Sequence, residues 1–192
     1  QRLSSLYTTP SGCCKLRLSE SRPYNRAMLT GTRIAFIGGG NMAEALLAGL
    51  LRKGVAVAEH LTVSDPDVHR RELLAERFGV AVHADNRTAA QGAELVVFCV
   101  EPQVLDSVLD EVASSLQSRP LVMSVAAGYP ISRLQAHLKT ATRLVRAMPN
   151  TPSTIGEGVT AMSMMPGLSS EDQDRARCLF ESVGQVVVVE ER

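Results

Sequence analysis

From Arg33 to the C-terminus the chain alternates short apolar runs with amphipathic segments of helical period, and this alternation restricts the fold more than any other feature. RIAFI, HLTVS, VAVHA, Glu94 to Val100, PLVMSV, RLVRAMP, VTAMSMM and QVVVVEE are predicted strands. Between the first two, Met42, Ala45, Leu46, Gly49 and Leu50 share one helical face. Asp65 and Pro66 are expected as the cap and first residue of a helix running through HRRELLAERFG and closing on Gly79. Pro102 opens a helix carrying Val104, Leu105, Val108, Leu109 and Val112, and further helices are expected around SRLQAHL and from Ser170 to Val183. A run such as ELVVFCV suits a strand covered on both faces. Strands alternating with helices predict a doubly wound α/β fold with a mostly parallel sheet, and no internal repeat is visible.

The 192 residues suffice for one core without staples. With 20 Lys and Arg against 20 Asp and Glu there is no basic field to hold a nucleic acid, and tryptophan, a common stacking residue, is absent. No apolar run approaches the ~20 residues of a membrane-spanning helix, so no membrane partner is expected. Cys13 and Cys14 are adjacent, Cys99 and Cys178 stand alone, and His60, His69, His83 and His137 are scattered, so neither a metal site nor a disulfide framework is expected. Cys99 reads as a small buried hydrophobe in a reducing compartment. Residues 1–27 are Ser-rich, with Arg2, Lys15, Arg17, Arg22 and Arg26 against Glu20, and show no periodicity. They read as a transit peptide or as a vector remnant or translated upstream sequence. The expected division is a disordered leader or non-native extension over 1–31 and one domain over 32–192. That division gives a cytoplasmic protein, or a mitochondrial one if the leader is a transit peptide.

In a doubly wound sheet, ligands lie beyond the carboxyl ends of the strands, so the turns there carry the functional reading. The first turn, Gly38-Gly39-Gly40-Asn41-Met42-Ala43, fits G-x-G-x-x-A between a strand and an amphipathic helix, the context of a dinucleotide-binding turn. Gly38 permits the tight turn, Gly40 lets backbone N–H groups approach a pyrophosphate, and the helix start supplies partial positive charge. Asp65, ending the second strand, is either a plain helix cap or the group that accepts from the adenosine 2′-hydroxyl of NAD and repels the 2′-phosphate of NADP. Ser64 and the Arg70-Arg71 pair could receive that phosphate, or the arginines could form a solvated face. The cofactor is therefore NADP or NAD. Further small, Pro- or Gly-bound turns follow: Val100-Glu101-Pro102-Gln103, Ser124-Val125-Ala126-Ala127-Gly128 and Arg146-Ala147-Met148-Pro149-Asn150-Thr151-Pro152.

On FIGGGNMA, ADN at 84–86, VEPQ, SVAAG and RAMPNTP the chain resembles the pyrroline-5-carboxylate reductases, from about Thr32 onward. SVAAG followed by RAMPNTP discriminates, because G-x-G-N-M also occurs in other NADP-dependent reductases. The resemblance implies a Rossmann-like NAD(P)-binding domain in which Gly38, Gly39, Gly40, Asn41, Met42, Asp65, Asn86, Val100, Glu101, Pro102, Ala126 and Ala127 contact the dinucleotide. The nicotinamide would lie near Ala127, facing the PNTP turn. The implied reaction is hydride transfer from reduced nicotinamide to the C=N carbon of a cyclic imino acid, yielding proline. Relatives typically carry lysine where this chain has Glu101, and NADP-preferring ones a small hydroxyl residue where it has Asp65.

Family members continue past a strand like QVVVVEE into a helical segment that forms a homo-oligomer and carries the substrate carboxylate site. This chain ends at Arg192, so the resemblance implies a cofactor half that is inactive alone. No residue of 32–192 is expected as a catalytic acid, and His137 reads as a surface or core-edge residue. Two other readings remain: a reductase of the coenzyme F420-dependent NADP oxidoreductase type, which would have no reason to keep SVAAG with RAMPNTP, and a non-enzymatic dinucleotide-binding or interaction module.

Overall fold

The computed structural model describes residues 28–138 and 143–191. The leader over 1–27, with Cys13 and Cys14, lies outside the described residues. In chain order the elements are β1 (Ile34–Ile37), α1 (Asn41–Arg52), β2 (Leu61–Ser64), α2 (Val68–Phe78), β3 (Ala81–His83), α3 (Asn86–Ala90), β4 (Leu95–Phe98), α4 (Pro102–Val112), β5 (Leu121–Ser124), α5 (Ile131–His137), β6 (Leu144–Met148), β7 (Gly158–Met164), α6 (Ser170–Glu181) and β8 (Gly184–Val188). They form one eight-stranded sheet in the order β3-β2-β1-β4-β5-β6-β7-β8. Every predicted strand and helix is present, within a few residues of its expected bounds.

The sheet separates two apolar layers. On one side Phe36, Val63, Val97 and Met162 meet Leu46, Leu47 and Leu50 of α1, Leu74 of α2 and Leu179 and Phe180 of α6. On the other, Ile37, Val96, Phe98 and Val122 meet Ala89 and Ala90 of α3, Leu105 and Leu109 of α4 and Leu134 of α5. β1, β4 and β5 are wholly buried, as strands packed on both faces must be. Each fully covered leucine contributes about 1.5–3 kcal/mol from leaving water.

Parallel pairing runs from β3 through β6, and β7 then lies antiparallel to β6, with β8 parallel to β7. The reversal has a plain cause: a parallel crossover needs a dozen or more residues, usually a helix, and between Met148 and Gly158 there is only a short 3₁₀ turn, Thr151–Ile155. The five-residue α3 was not anticipated, since it is too short to show a period. Its signature is Asp85, whose carboxylate accepts from the Thr88 backbone N–H at 2.8 Å and hydroxyl at 3.0 Å, bonds that hold it below the usual carboxylate range.

Three expectations are corrected. The folded unit begins before Thr32: Leu29 is fully buried in the core, the Thr32 N–H donates to its carbonyl at 3.1 Å, and His60 Nδ1 lies 2.8 Å from the Thr30 carbonyl. Asp65 does not cap α2. The cap is Asp67, which accepts from the His69 N–H at 2.9 Å, and Pro66 lies before the helix. The closing residue Gly79 is left-handed, at φ 67°, as expected. Val104 faces water at 48% exposure, so the buried stripe of α4 is Leu105, Leu109 and Val112.

An ion pair joins the start of β6 to the first turn of α6. Asp172, near the start of α6, is 6% exposed and accepts from Arg143 Nε at 2.9 Å and from Arg143 Nη2. The Arg143 guanidinium holds its carboxyl below the usual range. Because the folded-state value is depressed, the stabilisation is present above the unfolded carboxyl range and is lost as pH falls through the folded-state value. Asp172→Asn is expected to lower stability by about 2 kcal/mol, less than a fully buried pair because a third of the Arg143 side chain stays in water. Urea melts at neutral and acid pH check this: the difference between parent and variant shrinks on acidification.

Candidate dinucleotide-binding site

The carboxyl ends of the central strands are locked in line by backbone bonds. Gly38 N–H donates to the Ser64 carbonyl at 2.8 Å, Asp65 N–H to His83 at 3.1 Å, Cys99 N–H to Ile37 at 2.7 Å and Val125 N–H to Phe98 at 3.1 Å. The turns after β1, β2, β4 and β5 therefore share one edge, which brings together Gly38 to Met42, Asp65, Val100 to Pro102 and Ala126-Ala127. Asn86 begins α3, the next element along that edge. Ala126 is buried and its N–H donates to Ser124 Oγ at 3.3 Å, whereas Ala127 is exposed, so the turn offers one small side chain and bare backbone.

The three glycines differ in what surrounds them. Gly38 has φ +96°, and a Cβ there would stand 2.8 Å from Val100 Cγ1 and 2.9 Å from the Cys99 carbonyl oxygen. At Gly39 a Cβ would meet Leu74 Cδ1 at 2.9 Å and the Asp65 side chain at 3.3 Å. At Gly40 it would meet nothing within 4 Å. Protein packing accounts for the first two, while the third faces open space. Gly40 is also the N-cap of the twelve-residue α1, and no side chain caps it. The first-turn N–H groups thus look into the same space.

Around Gly39 the turn is clamped at both ends of a residue. Its N–H donates to Asp65 Oδ2 at 2.8 Å, and its carbonyl accepts from Arg70 Nε. Asp65 Oδ1 accepts from the Asp67 N–H at 2.9 Å. Arg70 also pairs with Glu44 of α1, to which Arg77 is bonded as well. Arg71 Nη1 donates to the carbonyls of Asp65 at 2.7 Å and Pro66 at 2.9 Å. The arginine pair is therefore no solvated face; it braces the turn.

Other residues singled out from sequence sit as follows. Asn86 Nδ2 donates to Glu111 Oε2 of α4 at 2.9 Å. Glu101 is exposed and N-caps α4 without a side-chain cap bond. Burial pushes the half-buried Cys99 thiol up to about 12, which keeps it protonated at neutral pH. His137 Nδ1 stands 2.7 Å from Asp110 Oδ1 and its Nε2 3.2 Å from Asp106 Oδ1, a polar link between α4 and α5 away from the glycine turn. The PNTP turn packs along α1, with Asn150 Oδ1 accepting from the Val159 N–H at 2.9 Å. Sequence reasoning missed the bracing roles of Arg70 and Glu44, whose only signal is charge on facing helices. Among the described residues no group of three or more metal-ligating side chains occurs, and no helix is long and apolar enough to cross a membrane.

A doubly wound sheet with an uncapped glycine turn at its carboxyl edge is the architecture of a dinucleotide-binding domain. The chain belongs to the family described as NADP oxidoreductase, coenzyme F420-dependent, which matches residues 33–128. It is similar to the pyrroline-5-carboxylate reductase of Synechocystis, 39% identical over 159 residues, covering 83% of this chain and 59% of that protein. In structure it is similar to the pyrroline-5-carboxylate reductase of Coxiella burnetii, with TM-score 0.80, 32% identity and coverage of 84% of this chain and 60% of the other. The Plasmodium falciparum pyrroline carboxylate reductase, solved with NADP bound, matches with TM-score 0.74 and 25% identity, covering 84% and 58%. The chain thus spans less than two thirds of the length of the curated relatives it matches, 59% of the Synechocystis protein and 55% of the Pseudomonas aeruginosa one.

Proposed function

We propose that this chain forms the dinucleotide-binding half of an NAD(P)H-dependent reductase that converts 1-pyrroline-5-carboxylate to proline. The observation that carries the reading is the open space over Gly40 and the uncapped start of α1, where a backbone is held bare against nothing in the protein itself. A pyrophosphate fits such a place by charge and by shape. In this reading Gly38 to Met42 hold the pyrophosphate, Asp65 faces the adenosine ribose, and Asn86 and Val100 to Pro102 border the adenosine and ribose groups. Ala126 and Ala127 provide a flat backbone for the nicotinamide ring. The bound cofactor supplies the hydride, and the chain's part is to fix its position relative to a small imino acid.

The similarity to the reductases named above supports the substrate, because SVAAG and RAMPNTP lie at the carboxyl ends of the adjacent parallel strands β5 and β6. The intact protein would be a homo-oligomer in the cytoplasm. A reductase of the F420-dependent NADP type is the second reading, favoured by the family match over residues 33–128. The test is a chimaera in which residues 28–191 replace the matching part of the Synechocystis relative. Oxidation of NAD(P)H with equal formation of proline is the expected result. Dinucleotide binding without transfer to 1-pyrroline-5-carboxylate would overturn the substrate assignment.

A further inference from the structure

Resting on that dinucleotide reading, we propose that the adenosine end of the site is built for the free 2′-hydroxyl of NADH and rejects the 2′-phosphate of NADPH, with Asp65 as the discriminating residue. Of the three groups singled out as receivers of a 2′-phosphate, Ser64 is buried and Arg70 and Arg71 already hold hydrogen bonds to the turn. The Ser64 hydroxyl is fully buried, and its oxygen makes no hydrogen bond. Arg70 is held by the Gly39 carbonyl and by Glu44. Arg71 spends Nη1 on the carbonyls of Asp65 and Pro66, which anchors the guanidinium beneath the turn.

Asp65, by contrast, is partly exposed, and both its oxygens already accept from backbone N–H groups, of Gly39 and Asp67. Those bonds fix the carboxylate beside the glycine turn. A ribose hydroxyl is a donor that such a carboxylate satisfies. A phosphate dianion is an acceptor-only group of like charge, and a charge at this range in a partly desolvated site is repelled. The bond from Gly39 also means that the carboxylate cannot swing away without loosening the turn that holds the pyrophosphate. Selectivity and phosphate binding are therefore coupled through one peptide.

The experiment is calorimetric titration of the 192-residue chain with NADH and with NADPH, in the parent, in Asp65→Asn and in Arg71→Ala. Asp65→Asn removes the charge and keeps an oxygen that can accept from Gly39. The parent is expected to bind NADH at least about tenfold more tightly than NADPH, and Asp65→Asn to narrow that ratio by gaining NADPH affinity. The parent's ratio should also narrow in higher salt, since like-charge repulsion is screened. Equal or tighter NADPH binding by the parent, or a selective loss of NADPH binding in Arg71→Ala, overturns the proposal and leaves the dinucleotide reading standing. Failure of the parent to bind either cofactor overturns both.

Discussion

Gly40→Val is expected to abolish dinucleotide binding, with affinity falling by about 100-fold or more, while the chain stays folded. The geometry gives the reason. Gly40 has φ −65°, ordinary for any residue, and a Cβ built there meets no protein atom within 4 Å, so the folded chain has room for the side chain. The room it fills is the space in front of the uncapped α1, where the proposed pyrophosphate must touch backbone. The folding cost is confined to placing a poor N-cap residue, about 1 kcal/mol. Titration calorimetry with a parallel thermal melt checks both halves. Retained NADH affinity in the folded variant would remove the pyrophosphate from this turn.

Two residues earlier the same motif predicts the opposite outcome. Gly38→Ala is expected to destabilise the domain by about 3 kcal/mol or more, whatever ligand is present. Its φ of +96° disfavours any L side chain, and the new methyl would press against the Val100 side chain and the Cys99 carbonyl, just past β4, where the Cys99 N–H bond to the Ile37 carbonyl leaves the backbone little freedom to shift. Chemical denaturation of the variant beside the parent measures it. A variant as stable as the parent would mean that the β1 and β4 ends are not held as tightly as the Gly38–Ser64 and Cys99–Ile37 bonds indicate.

The sequence made the layering legible because strand and helix periods do not overlap. IAFI and LVVF are apolar at every position, whereas α1 is apolar on one stripe, and a chain with those two patterns in alternation must put helices on both sides of a sheet. The reversal at β7 was hidden in what lies between motifs: the absence of a helical pattern between RLVRAMP and VTAMSMM forbids a crossover, a constraint read only when the connection is measured. Asp65 was ambiguous because a carboxylate before a proline suits a cap as well as a ribose. What resolved the cap was Asp67, two residues on, whose side chain reaches His69. The bracing of Gly39 by Arg70 was illegible, since Gly39 and Arg70 are separated by 31 residues and no local pattern connects them.

The most direct test of the dinucleotide site is the backbone amide NMR spectrum of the chain during addition of NADH. Saturating shifts confined to Gly39 through Ala43, Asp65, Asn86, Val100, Glu101, Gln103 and Ala126 to Gly128 are the predicted result, with Gln91 and Ser118 of the polar groove beyond α3 unmoved. A spectrum in which Gly40 and Asn41 stay fixed while other amides respond would contradict the assignment of the glycine turn as the place where the cofactor is held.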